Sequence, residues 1–198
     1  MRLVQRGVSL KPESELDAKL ILAGVGGQGV LFATSIFSGT ALALGHDVVG
    51  SETHGMSQRG GSVISHLKIG AYESPMVRHG TGDVLLAFDW QEAYRTLAFL
   101  RRGGLCVVNG PGEGFWDPGV KGYLTANGIA AHVYAADDVA MSIGSPRSAN
   151  LALIGYALSV PEMPFAHADI RATIERITPS KFREVNLKAF DAGYRRQR

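Results

Sequence analysis

Apolar residues in this chain fall into short runs that stop at glycines, with longer, less interrupted stretches between them. Leu20-Ile21-Leu22-Ala23 is an unbroken apolar run, the pattern of a strand buried on both faces. Val30 to Leu44 has few breakers and apolar residues on most sides, which predicts a mostly buried helix with Gly45 as its stop. Asp47 to Gly50 is a second strand. Ser62 to Ile69 alternates imperfectly, with Val63, Leu67 and Ile69 on one face and His66 and Lys68 on the other. Asp83 to Phe88 is another buried strand, Gln91 to Leu100 a helix ended by Gly103-Gly104, and Leu105 to Val108 the next strand. Gly110 to Gly119 reads as a long loop, and His132 to Ala135 as a last short strand. From Ser148 onward the pattern is helical in three pieces, broken near Pro161–Pro164 and at Pro179. The last piece carries Phe182, Val185, Ala189 and Phe190 on one stripe, for core or interface packing.

Strands alternating with helices of this length predict an α/β fold. It is a three-layer, Rossmann-like arrangement: a mainly parallel sheet flanked by helices, with a helical C-terminal segment. No internal repeat and no linker divides the chain, so residues 19–198 are expected to form one domain after an N-terminal extension, 1–18. At 198 residues the chain is long enough for a sizeable core. Met1 to Lys19 holds no apolar run of signal-peptide length, and no stretch approaches the roughly 18 apolar residues of a membrane helix. A cytoplasmic protein that binds no membrane is expected. A formal charge of +2 does not argue for nucleic acid. The single cysteine, Cys106, excludes an internal disulfide, a four-cysteine zinc site and an iron–sulfur cluster held by this chain alone.

Glycine is the compositional oddity, with 25 residues, nearly twice the usual share of roughly 7%. Gly24-Val25-Gly26-Gly27-Gln28-Gly29 follows the first strand and opens a helix, matching G-x-G-x-x-G. Such a turn brings an anion close to free backbone N–H groups at the positive end of a helix dipole. A tight turn that binds nothing accounts for the same residues, so both readings stand. Glu52 lies where a ribose-binding acid would, which leaves open a stand-alone NAD(P)-dependent Rossmann oxidoreductase.

A second polar stretch, Ser51 to Ser62, joins two strands and reads SETHGMSQRGGS. Loops at the carboxyl ends of parallel strands line the ligand crevice, so this loop and the glycine turn should be neighbours. Arg59 is suited to clamping a carboxylate or phosphate in its fork. His54 could exchange a proton near neutrality, although no partner base or nucleophile is evident. There is no P-loop ending, no G-x-S-x-G elbow, no H-E-x-x-H and no metal spacing among the six scattered histidines. The thiamine diphosphate signature is absent too.

Together, Gly24–Gly29 and the His-Gly-x-x-Gln-Arg-Gly-Gly stretch resemble the gamma-type domain of 2-oxoacid:acceptor (ferredoxin) oxidoreductases. The variant most resembled is the beta subunit of indolepyruvate:ferredoxin oxidoreductase. Asp83 to Asp89, Asn150 to Gly155 and Glu184 to Gly193 extend the resemblance, which covers residues 19–194. The resemblance implies a small, cytoplasmic subunit of a heteromer, inactive alone, in an enzyme that turns a 2-oxo acid such as pyruvate or indolepyruvate into acyl-coenzyme A, CO2 and reduced ferredoxin. A large partner subunit would carry thiamine diphosphate and the iron–sulfur clusters, pass electrons to ferredoxin, and leave this chain to shape the active site and hold coenzyme A. It places Gly26, Gly27, Gln28 and Gly29, with Gly55, Gln58, Arg59, Gly60 and Gly61, at the cofactor. His54 and Arg59 would face the partner's active site, and no metal would be held here. A non-catalytic regulatory or structural subunit, and a homodimer when the chain is isolated, are the remaining expectations.

Overall fold

The structure is a computed structural model that describes residues 16–55, 60–112 and 114–195. Among these residues six strands form one sheet in the order β2-β3-β1-β4-β5-β6. They are β1 (Ala18–Val25), β2 (Val48–His54), β3 (Ser62–Ile69), β4 (Gly82–Ala87), β5 (Leu100–Asn109) and β6 (Ala130–Tyr134). β1, β4, β5 and β6 are parallel neighbours, while β3 runs antiparallel to both β1 and β2. The mainly parallel expectation holds, with β2 and β3 forming an antiparallel hairpin inserted beside β1.

Helices cover both faces. α1 (Val30–Ala43), α4 (Ala136–Ser142), α5 (Ala149–Ala157), α6 (His167–Ile177) and α7 (Ser180–Arg195) share one apolar cluster with Leu20, Leu22, Leu86 and Leu105. α2 (Trp90–Thr96) and α3 (Pro118–Ala126) pack on the other face, against Ile21, Ala23, Leu85 and Cys106. Burial on both faces explains the weak alternation of β3: Ser65 and His66 are as enclosed as Leu67. Cys106 is fully buried, and burial pushes its thiol up to about 12, which fits an inert core position.

α1 ends as its sequence predicts. His46 N–H donates to the Ala41 carbonyl (3.0 Å) and Gly45 N–H to that of Leu42 (3.1 Å), a Schellman pair that satisfies the last turn. Three expectations need correction, and one helix was not foreseen. Gly103-Gly104 do not end the second helix; that helix finishes at Thr96, a 3-10 turn covers Leu97–Phe99, and β5 starts at Leu100. The two glycines lie within β5, where pairing with β4 slips between Gly82↔Leu100 and Val84↔Leu105. The loop from Gly110 gives way at Pro118, which starts α3 at the position where a missing N–H costs nothing, behind the Asp117 cap on Gly119 N–H. α4 is too short for a clear helical period and has no counterpart in the sequence reading. In α7, Ala189 and Phe190 are buried, but Phe182 is 49% exposed because only the C-terminal half of the helix lies on α5.

The contact between α5 and α7 brings two backbones together. A side chain at Gly155 would overlap the Phe190 carbonyl, and one at Gly193 would overlap that of Ala152. With no Cβ on either helix at the crossing, α5 sits in the core with Asn150 to Ala157 all buried.

Candidate functional site

β1 continues to Val25, so Gly24 belongs to the strand and Gly26 to Gly29 make the turn. Gln28 holds that turn from within: its N–H donates to the Val25 carbonyl (3.0 Å), and its Oε1 accepts the Val25 N–H (2.7 Å). Gly29 is the N-cap of α1, at φ 79°, and a Cβ there would strike the Asn150 amide at the start of α5. Glycine at 29 therefore serves backbone shape and helix packing. Gly27 differs, because no atom lies within 4 Å of where its Cβ would be. No side chain caps α1, which leaves the positive end of its dipole to be met at this turn.

The hairpin brings the second stretch to the same place. β3 pairs with β2 out to His54↔Val63 and with β1 out to Val25↔Ser62. At the tip, Gly26 N–H donates to the Gly61 carbonyl (2.9 Å), and Gly55 N–H donates to that of Ser62 (2.7 Å). Gly26, Gly55, Gly60 and Gly61 are thus assembled at the carboxyl end of β1, as the sequence predicts. Gln58 and Arg59 lie outside the described residues, and His54 is placed only by its backbone at the end of β2.

Glu52 does not sit at the ribose position. It pairs with Ser65, which pairs with Leu22, so Glu52 stands two strands from β1 and three residues short of its tip. Inserting β3 between β1 and β2 displaces it, at roughly 4.8 Å per strand. That displacement removes the feature on which the NAD(P)-dependent alternative rested.

A crevice opens on the other side of the turn. α1 lies on one face of the sheet and α2 on the other, so the chain changes face between β1 and β4, where ligands settle in open α/β sheets. One compartment, of about 460 Å³, is lined by Gln28, Phe88, Asp89, Asn109, Pro111 and Asp137. An adjoining one, of about 230 Å³, is lined by Gly27, Gln28, Arg147 and Asn150 among others. Asn109, buried at the end of β5, ties the crevice together. Its Nδ2 donates to the Phe88 carbonyl (3.2 Å) and to Asp137 Oδ2 (2.9 Å), and its Oδ1 accepts the Ala136 N–H (3.0 Å). Asp89 caps α2 through the N–H groups of Gln91 and Glu92. The first compartment is thus lined by the carboxylates of Asp89, Asp137 and Asp138; the second shares Asp137 and adds the cation Arg147. Sequence reasoning did not single out Asn109, Asp137 or Arg147. Their signal is position: Asn109 at the end of a strand, Asp137 in the first turn of a helix and Arg147 just before one.

The model of the family described as pyruvate ferredoxin/flavodoxin oxidoreductase matches residues 19–196. The chain belongs to that family. The family's curated relatives include indolepyruvate oxidoreductase subunit IorB of Archaeoglobus fulgidus, 32% identical over 88% of this chain and 92% of the relative. The IorB subunit of Thermococcus kodakarensis is 33% identical over 89% of this chain and 94% of its own length. Among solved structures, the gamma subunit of a keto/oxoacid ferredoxin oxidoreductase from Geobacter sulfurreducens superposes with a TM-score of 0.70 at 23% identity. It covers 89% of this chain and 96% of its own. A 2-oxoglutarate:ferredoxin oxidoreductase from Magnetococcus marinus gives 0.71 at 19% identity, with 89% of this chain matching 30% of that one. These two structures share the fold. This family member is a homologue of oxidoreductase small subunits. Among its described residues, no group of three or more His, Cys, Asp or Glu could hold a metal ion, and no helix is long and apolar enough to cross a membrane.

Proposed function

We propose that this chain is the small subunit of a thiamine-diphosphate-dependent 2-oxoacid:ferredoxin oxidoreductase acting on indolepyruvate or a related aryl 2-oxo acid. It works as one gamma-type domain, residues 19–198, in the cytoplasm. The observation that carries the reading is the junction of Gly26 with Gly61. It unites the glycine turn and the SETHGMSQRGGS loop at one edge of a gamma-type fold. The IorB relatives support the aryl substrate.

Iron–sulfur clusters do not fit this chain. Its one thiol is sealed in the core, and thiamine's carbanion chemistry and electron transfer to ferredoxin are assigned to a large partner subunit. Coenzyme A, whose thiol takes the acyl group, fits in part. The pyrophosphate would be held on the Gly27 side of the turn, near Arg147 and away from Asp89 and Asp138 of the neighbouring compartment, with Asp137 on the wall that the two compartments share. The loop base, Gly55, Gly60 and Gly61, belongs to the wall that this subunit turns toward the partner's active site, and the resemblance assigns His54 and Arg59 to the same wall. Arg59 there offsets negative charge on coenzyme A or on the oxo acid. Arg59→Ala in the reconstituted complex should raise the apparent KM for at least one of these two substrates by roughly tenfold, the scale of one charge-assisted contact. Unchanged constants for both would overturn the assignment.

A further inference from the structure

A buried carboxylate behind the loop has no part in the account so far. Glu92, in the first turn of α2, is 2% exposed. Its Oε2 accepts the Ser62 hydroxyl at 2.6 Å, and its Oε1 accepts Arg95 Nη1 at 2.7 Å. Ser62 is where the hairpin meets the glycine turn. Its carbonyl takes the Gly55 N–H on the β2 side, and the preceding carbonyl, of Gly61, takes the Gly26 N–H on the β1 side. The hydroxyl bond runs out of the sheet to a different layer. α2 is itself fixed to the tip of β4 by the Asp89 cap. One side chain therefore links the crevice side of the sheet edge to the base of the loop.

The chemistry is costly for a purely structural tie. Taking a carboxylate out of water has a large penalty, and apolar packing of similar volume would often hold α2 on the sheet as well or better. What the carboxylate adds is direction: the Arg95 pair orients it, and its one charge-assisted bond to Ser62 Oγ fixes that residue, and with it the two successive carbonyls that set the separation of loop and turn.

We propose that Glu92 is a positioning residue of the oxidoreductase, acting through Ser62 to hold the base of the 55–61 loop against the Gly26–Gly29 turn. The inference rests on the reading that this loop faces the active site.

Two measurements test it. In the full chain, hydrogen exchange at the Gly55 and Gly26 amides should quicken by roughly ten- to a hundredfold in Ser62→Ala and in Glu92→Gln, the factor set by loss of one bond to a charged group. In the reconstituted complex the same variants should raise the KM of the substrate that responds to Arg59→Ala, with kcat less affected. The Ser62→Ala/Glu92→Gln double variant should be no worse than the worse single one, as a shared path requires. Unchanged exchange at both amides would overturn the proposal whatever the kinetics. So would quickened exchange with unaltered KM in a complex where Arg59→Ala does raise it, since Glu92 would then only stabilise the fold. If Arg59→Ala itself has no effect, the active-site reading of the loop fails first and this inference falls with it. Glu92→Asp, which keeps the charge, should recover part of the KM.

Discussion

Gln28 and Gly29 show how residues of a binding motif can be occupied by the turn that they build. The Gln28 amide closes back on Val25, and Gly29 makes room for Asn150, so Gly27 is left as the open position of the turn. Two histidines, His66 buried and His167 half-buried, set a residue-scale expectation. Burial lowers the pKa of His66, helped by Lys68; burial also lowers that of His167, where Arg171 acts in the same direction and Asp191 against it. A histidine with a depressed folded pKa leaves the unfolded chain binding more protons as the solution is acidified. Its contribution to stability is therefore complete above the unfolded value of about 6.5 and is lost as pH falls from there toward the folded values. The urea midpoint should be level at mildly alkaline pH and decline below about 6.5, less steeply in His167→Gln. A midpoint that rises on acidification would contradict this.

Among the elements, the α5–α7 pair is the most sensitive to a small change. Each helix presents a glycine to the other's backbone, so a methyl group at either position meets a carbonyl oxygen rather than a side chain that can swing away. Gly155→Ala or Gly193→Ala should each cost about 2–4 kcal/mol, near the upper end for overpacking, seen as a lower denaturant midpoint. A cost below about 0.5 kcal/mol would mean that the helices separate freely. The elements also show where sequence patterns inform and where they fail. β1 and α1 were legible because their apolar runs stop at glycine, and β4 because its run stops at the capping Asp89. β3 was harder, since burial on both faces erases its alternation. The boundary at Gly103 misled because glycine serves a strand irregularity there as readily as a helix end. α3 and α4 are short, and local caps define them more than any period does.

At the scale of the whole molecule, the layered sheet presents one edge, where β1, β3, β4 and β5 bring the glycine turn, the loop base and the Asn109 network together. No described residues form a metal site there, and Cys106 is sealed in the core; the proposed division of labour assigns the redox chemistry to a second chain. The purified chain alone should reduce no ferredoxin with any 2-oxo acid, and adding the large subunit should restore reduction. Turnover by the single chain would refute the division of labour. A large subunit fully active without this chain would reduce it to a support.

The sequence alone determined the class of fold, the glycine turn, the polar loop and the resemblance to the family, because these are local: residue types at fixed spacings dictate turn, cap and strand. The tertiary structure decided what depends on pairing across the chain. Inserting β3 moved Glu52 away from the turn and joined Gly61 to Gly26. Packing of α2 set Glu92 behind Ser62, 30 residues away in sequence, and the end of β5 placed Asn109 between β4 and α4. No spacing rule carries such contacts, since they form only when separate elements close on one another in three dimensions.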